Sequence, residues 1–239
     1  MPASLRFVSL YNSPNLPTLL PTFGNLSLLE MLDLQGCNVL VTLPTSVAQL
    51  NSLNFLNLGK CSNLTTLPET FGNLSALQML GLSECSKLAT LPPTFGQLKS
   101  LVWFNMDGCE AITTLPNSFG NLSALIILKL NRCSNLSSLP ESFAQLSCLK
   151  MLWMDGCERL TSLPNNFGEL KSLKLLKIKD CSNLKTLNGD FGSLASLKTL
   201  NASNCESLDG EAVDILVKME NLMFVKIYGS ERVMERWKE

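Results

Sequence analysis

Leu149-Lys150-Met151-Leu152-Trp153-Met154-Asp155-Gly156-Cys157-Glu158-Arg159-Leu160-Thr161-Ser162-Leu163-Pro164-Asn165-Asn166-Phe167-Gly168-Glu169-Leu170 is one copy of a frame that recurs along nearly the whole chain. Cysteines stand at Cys37, Cys61, Cys85, Cys109, Cys133, Cys157, Cys181 and Cys205, each 24 residues after the last, and Ser13 holds the position one step before them. Self-similarity at one fixed period is the signature of a solenoid, in which each unit buries its apolar face only by stacking on its neighbours.

The two halves of each copy carry different periods. Before the cysteine, Leu152 and Met154 alternate with Met151, Trp153 and Asp155, the period of a strand. After it, apolar residues come every third position, at Cys157, Leu160 and Leu163. Pro164 then breaks the chain, and Phe167 and Leu170 turn back toward the core. A return of about 15 residues containing a proline predicts a short 3₁₀ or irregular path rather than a long helix. One strand and one return per turn build a parallel sheet on one face and a layer of turns on the other.

With these residues in view the chain resembles a known family. The Cys-anchored frame followed by L-P-x-x-[FVI]-G-x-L, as in Leu163-Pro164 to Leu170, is similar to the leucine-rich repeats of plant intracellular disease-resistance receptors carrying Toll-type and nucleotide-binding domains, over residues from about 5 to 227. The resemblance implies an α/β, β-rich solenoid: a right-handed horseshoe with a parallel concave sheet of about ten strands and 3₁₀ or irregular convex returns. It also implies a ligand-sensing or autoinhibitory role in plant defence and innate immune signalling, or a free-standing relative of such repeats.

Composition narrows the classes of function. A net charge of −1 and a pI near 5.7 argue against a nucleic-acid binder, which carries a basic surface and a high pI. The start, Met1 to Phe7, lacks a basic stretch followed by an apolar run, and no run approaches the roughly 18 apolar residues of a membrane span. These features predict a soluble cytoplasmic or nucleo-cytoplasmic protein with no membrane span. Six N-x-[ST] sequons, such as Asn73 and Asn121, arise mostly from the repeated Asn-Leu-Ser and read as framework. Eight of the nine cysteines share one core-facing position, with Cys148 alone off that ladder, which predicts reduced thiols reaching carbonyls of the neighbouring turn. No histidine exists and no C-x₂₋₄-C spacing occurs, so neither a metal site nor a cofactor is expected. The missing general base, the apolar setting of the thiols and the absence of a phosphate loop point to a non-enzyme.

The chain reads as a single solenoid domain over residues 1–239. Residues 1–28 form an irregular first turn with Leu20-Pro21 in place of the usual Pro and polar residue. Regular repeats fill 29–205, and 206–239 form a capping turn and helix. A second period of 48 residues overlies the first: Met-Asp-Gly-Cys-Glu occurs at both 106–110 and 154–158. Asp209 is the expected N-cap of a helix through Val213, Leu216, Val217 and Met219, and Ser230 to Trp237 reads as a closing helix with Val233, Met234 and Trp237 against the core. Nothing comparable covers the first strand, so the expectation is that the polypeptide continues upstream, self-associates through that edge, or leaves it frayed.

Self-alignment lays out the outward face of the sheet in three columns. Six residues before each ladder position stand Phe7, Met31, Phe55, Met79, Trp103, Ile127, Met151, Leu175 and Thr199, with Phe224 last. Four before it the series runs through Asp33, Asn57, Lys129, Trp153 and Lys177. Two before it come Tyr11, Asp107, Asp155, Lys179 and Tyr228. The first column can stabilise the sheet by packing against itself, and exposed lysines are often only solvated. Large aromatics on an open face instead leave apolar area in water at roughly 25 cal/mol per Å², and Trp, Tyr and Met are enriched where partners bind. The expected function is therefore a non-catalytic module that binds a protein or peptide on the concave face. Trp103, Met151 and Trp153 are its apolar anchors and Asp107, Asp155, Lys177 and Lys179 its polar orienters, with Phe55, Met79 and Lys129 beside them. A scaffold or ubiquitin-ligase substrate adaptor, and a purely structural spacer, remain open at this point.

Overall fold

A computed structural model describes residues 4–187, 190–231 and 233. Ten strands form one parallel sheet in sequence order: β1 (Phe7–Ser9), β2 (Met31–Asp33), β3 (Phe55–Asn57), β4 (Met79–Gly81), β5 (Trp103–Asn105), β6 (Ile127–Lys129), β7 (Met151–Trp153), β8 (Leu175–Lys177), β9 (Thr199–Asn201) and β10 (Phe224–Lys226). Register follows the repeat, with Phe7 opposite Met31 and Met31 opposite Phe55. The last pair is offset by one more residue, Thr199 opposite Phe224, because its return is longer. That return holds the α-helix α1 (Glu211–Leu216).

The central residue of each strand from β2 to β9 is fully buried, from Leu32 to Leu200, and its two neighbours face the other way. Every strand then ends on a left-handed residue that reverses the chain. Glycine supplies it at Gly36, Gly108, Gly156 and Gly229, whereas Asn12, Lys60, Glu84, Arg132, Asp180 and Asn204 adopt it despite a Cβ.

Each cysteine follows at once and is buried and free. Its thiol donates to the carbonyl 27 residues upstream: Cys61 to Leu34 at 3.2 Å, Cys133 to Met106 at 3.3 Å, Cys205 to Ile178 at 3.0 Å. The same carbonyl accepts the backbone N–H of its own turn's cysteine, so that Leu34 O serves both Cys37 N–H and Cys61 S–H. Burial pushes the thiols up, to about 12 at Cys61 and Cys133 and to about 11 at Cys205.

The returns contain short 3₁₀ turns such as Thr45–Gln49 and Glu69–Asn73, each starting after an extended proline. Leu20 takes the same backbone, φ −66° and ψ 145°, as Pro44 at −67° and 149°, so the first turn follows the common path without the ring that enforces it. The phenylalanines of the returns stack as a buried column from Phe71 through Phe95, Phe119, Phe143 and Phe167 to Phe191. Centroids repeat every 5.9 to 6.4 Å with planes within 9° of parallel. Adjacent strands are only about 4.8 Å apart. The sheet is therefore the shorter, inner arc and the returns the longer, outer one. Glycine after the phenylalanine lets neighbouring turns close, since a Cβ on Gly120 would sit 1.8 Å from the Ser142 carbonyl oxygen.

The C-terminal turn differs from expectation in two details. The helix is capped by Gly210 and not by Asp209, whose Oδ1 is buried without a hydrogen-bond partner. Val213, Leu216 and Met219 face the core, but Val217 is 66% exposed, because the helix stops at Leu216 and the chain turns away. Ser230 starts the closing segment: its buried hydroxyl donates to Leu208 O at 2.7 Å and accepts from Val233 N–H at 3.4 Å. Val233 is fully buried, while Met234 and Trp237 lie outside the described residues. At the opposite end Leu5, Val8, Leu10 and Leu16 are only partly buried and Phe7 is 56% exposed. Among the described residues no helix is long and apolar enough to cross a membrane, and no group of three or more ligating side chains could hold a metal ion.

Candidate functional site on the inner sheet face

The inner face is built from three-residue strands, so each turn presents two residues of β-strand and one from the turn that follows. In the first column Met31, Met79 and Met151 are each about 40% exposed or slightly less, whereas Phe55, Trp103, Ile127 and Leu175 are partly buried between neighbours 24 residues away. Trp103 lies in register between Met79 and Ile127. An apolar file thus runs across the sheet, with its steps partly packed on one another and its methionines most open.

The second column changes character along the array. Asp33, Asn57, Gly81 and Asn105 precede Lys129, Trp153 and Lys177, after which Asn201 returns. Lys129 Nζ lies 5.4 Å from the Trp153 ring centroid, a cation–π contact, and Lys177 flanks the same indole from β8. The two tryptophans occupy different columns and different turns and do not form one cluster.

The third column explains this change. Its backbone N–H would continue the parallel ladder to a carbonyl of the preceding turn, but that carbonyl already accepts from a cysteine N–H and a cysteine S–H, as Met106 O does from Cys109 and Cys133. A side-chain oxygen must take its place. In the early turns the residue two back does so: Asp33 caps Gln35 N–H at 3.0 Å, Asn57 caps Gly59 at 3.1 Å and Asn105 caps Asp107 at 2.9 Å. Lys129, Trp153 and Lys177 cannot. There the third-column side chain of the previous turn reaches across: Asp107 Oδ1 accepts from Asn131 N–H at 2.7 Å, Asn131 Oδ1 from Asp155 at 3.0 Å, and Asp155 Oδ1 from Lys179 at 2.8 Å. In the ninth turn Asn201 caps Ser203 locally again, at 3.2 Å.

Asp107 and Asp155 are therefore tied into the backbone as well as placed on the face. Burial holds the Asp155 carboxyl above the usual carboxylate range, against the opposing pull of the Lys179 N–H and the Lys177 charge. Lys179 Nζ lies 3.2 Å from Asp180, whose carboxyl is lowered first by its bond from Asn204 and then by Lys179. Lys226 Nζ stands 5.2 Å from the Tyr228 ring. Sequence reasoning missed Asn131, a cap, and Lys150, which is exposed at the residue leading into β7. Stacking the copies by their period would have shown Lys150 in line with Lys174 and Lys198.

Two family models match the chain. One described as a leucine-rich repeat region covers residues 106–239, and one described as the At1g61320/AtMIF1 leucine-rich repeat domain covers residues 15–157. No curated protein matches the chain. Among solved structures, the leucine-rich repeat domain of the type III effector XCV3220 (XopL) is 26% identical with a TM-score of 0.75, the match covering 89% of this chain and 73% of that one. A TDR receptor is 21% identical with a TM-score of 0.57 over 89% of this chain and 41% of its own, a likeness of fold alone.

Proposed function

This chain belongs to the leucine-rich repeat family, whose domains generally serve as protein-interaction modules, and on that premise we propose that it holds a protein or peptide partner on its concave face without catalysing a reaction. The observation that carries the reading is the apolar file across the inner sheet, open at Met31, Met79 and Met151 and bordered by lysines and carboxylates. Apolar steps within a polar rim are the composition of a recognition surface, with a few anchors supplying most of the affinity. Trp103, Met151 and Trp153 are those anchors, Phe55, Met79 and Lys129 extend them, and Lys177 and Lys179 orient the partner beside Asp107 and Asp155. Plant innate immune signalling in the cytoplasm is the setting we propose for this activity, and the Cys-anchored frame with its L-P-x-x-[FVI]-G-x-L return, similar to receptor repeats, is what supports it.

The test is the paired substitution of Trp103→Ala and Trp153→Ala. Both indoles are partly exposed, so the variant keeps its circular dichroism spectrum and loses only a few degrees of melting temperature. It loses partner capture from native lysate, by about 2 kcal/mol or more for hot-spot residues. Undiminished capture by the folded variant removes the concave face from the reading.

A further inference from the structure

Charge on the inner face is sorted along the array. Up to Asp107, the face columns and the residue leading into each strand carry Glu30, Asp33 and Asp107 against Arg6. From residue 126 onward, Lys150, Lys174 and Lys198 lead into β7, β8 and β9, and Lys129 and Lys177 stand in the second column. Lys179 and Lys226 extend the series, and Asp155 is the one carboxylate in these positions. Of the other acids of this half, Asp180 pairs with Lys179 at 3.2 Å, and Glu141, Glu158, Glu169 and Asp190 sit in the returns. With a net charge of −1 for the whole chain, the basic field belongs to this part of the face and not to the molecule.

Such an arrangement works against the fold. Lys150, Lys174 and Lys198 are exposed on successive strands about 4.8 Å apart, well inside the Debye length of about 8 Å at physiological salt. Like charges side by side across strands are destabilising. Among the described residues none of the three stands within ion-pair distance of a carboxylate. The backbone cap has moved to Asp107, Asn131 and Asp155 in the very turns where Lys129, Trp153 and Lys177 take the capping position.

We propose that the inner face of β6 to β9 takes an acidic polypeptide segment, its carboxylates meeting Lys150, Lys174, Lys177 and Lys198 and an apolar side chain resting on Met151 and Leu175. This rests on the concave-face reading above and names the chemistry of the partner. The apolar residues Met151 and Leu175 lie between Lys150, Lys174 and Lys198 on one side and Lys129 and Lys177 on the other, which suits a polypeptide alternating apolar and acidic side chains. A nucleic acid is a poorer match: bases need free aromatic faces, and the indole of Trp153 already carries Lys129. No arginine stands in these columns to fork onto phosphate.

The experiment pans phage-displayed random dodecapeptides on the full chain, then measures the selected peptides by fluorescence anisotropy. They are compared on the parent, on Lys150→Glu with Lys174→Glu and Lys198→Glu, and on the tryptophan variant. The expected peptides carry several Asp or Glu beside an apolar residue, bind more weakly as salt is raised, and lose about tenfold or more on the charge-reversed chain. The milder set Lys150→Gln, Lys174→Gln and Lys198→Gln gives the same direction if reversal impairs folding. Peptides lost on the tryptophan variant but showing no acidic excess, or unaffected by the lysine changes, overturn the acidic partner and leave concave recognition standing. Peptides that bind every variant equally, or no selection at all, sink both. Tighter lysine-dependent binding of a single-stranded oligonucleotide, or of phosphatidylserine vesicles, overturns the proposal in favour of that ligand.

Discussion

Turns two, three and five and turns six to eight share one backbone and one thiol ladder, yet they satisfy the same backbone N–H in opposite ways. Early turns cap themselves, through Asp33, Asn57 and Asn105. Late turns are capped by the turn before, through Asp107, Asn131 and Asp155. The difference teaches that a framework hydrogen bond can be relocated by one turn, and that relocating it frees a face position for side chains the framework does not need. Those positions hold Lys129, Trp153 and Lys177.

The largest expected effect tests what the two regions share. Below the unfolded thiol pKa of about 8.5 both states keep their protons, and the ladder's contribution is complete. Above it the unfolded chain releases protons that the folded chain retains up to about 12 at Cys61 in the early turns and Cys133 in the late ones. Stability then falls with rising pH by about 1.4 kcal/mol per pH unit for each buried thiol. With a column of such thiols in a marginally stable protein, circular dichroism under reducing conditions should show unfolding between about pH 9 and 10.5. A chain still folded at pH 11 would contradict the buried ladder in both regions.

A middle-sized effect breaks the comparison directly. Asp107→Ala leaves the Asn131 N–H without its acceptor and should lower stability by about 1–3 kcal/mol in urea melts. Adding Lys129→Asn restores a self-capping turn and should recover about 1 kcal/mol, whereas Lys129→Asn in the parent should gain far less. Equal effects of Lys129→Asn in both backgrounds would show that the two caps are not alternatives. The smallest effect sharpens the pairing of Gly108 and Gly156 with Arg132, which adopts their left-handed backbone at φ 57°. Arg132→Gly should raise stability by about 1 kcal/mol or less, and a loss would mean that the arginine side chain offsets its strain.

Much of this fold was legible because its signals lie within one copy of the repeat. The alternation around Leu152, the cysteine and the Leu163-Pro164 break place strand, ladder and return without reference to distant residues. The relocated cap was not legible in the same way. Whether Asp107 serves the backbone depends on Lys129 in the next turn, a conditional relation that no single copy contains. The partial burial of Trp103 is likewise set by Met79 and Ile127, 24 residues away on either side. At the last return the local signal misled: Asp209 has the chemistry of an N-cap, but the helix begins one residue later and leaves its Oδ1 unpartnered.

The relocated cap also determines where this gene can be recombined. A crossover that deletes or duplicates a self-capping unit, such as the one around Asn57, carries donor and acceptor together and yields a working splice. A junction between Asp107 and Asn131 separates two halves of one bond, and the same holds at each step from Asp107 through Lys179. Gaining or losing a turn such as that of Asn57 keeps its cap intact, whereas a splice within the lysine-bearing block costs one.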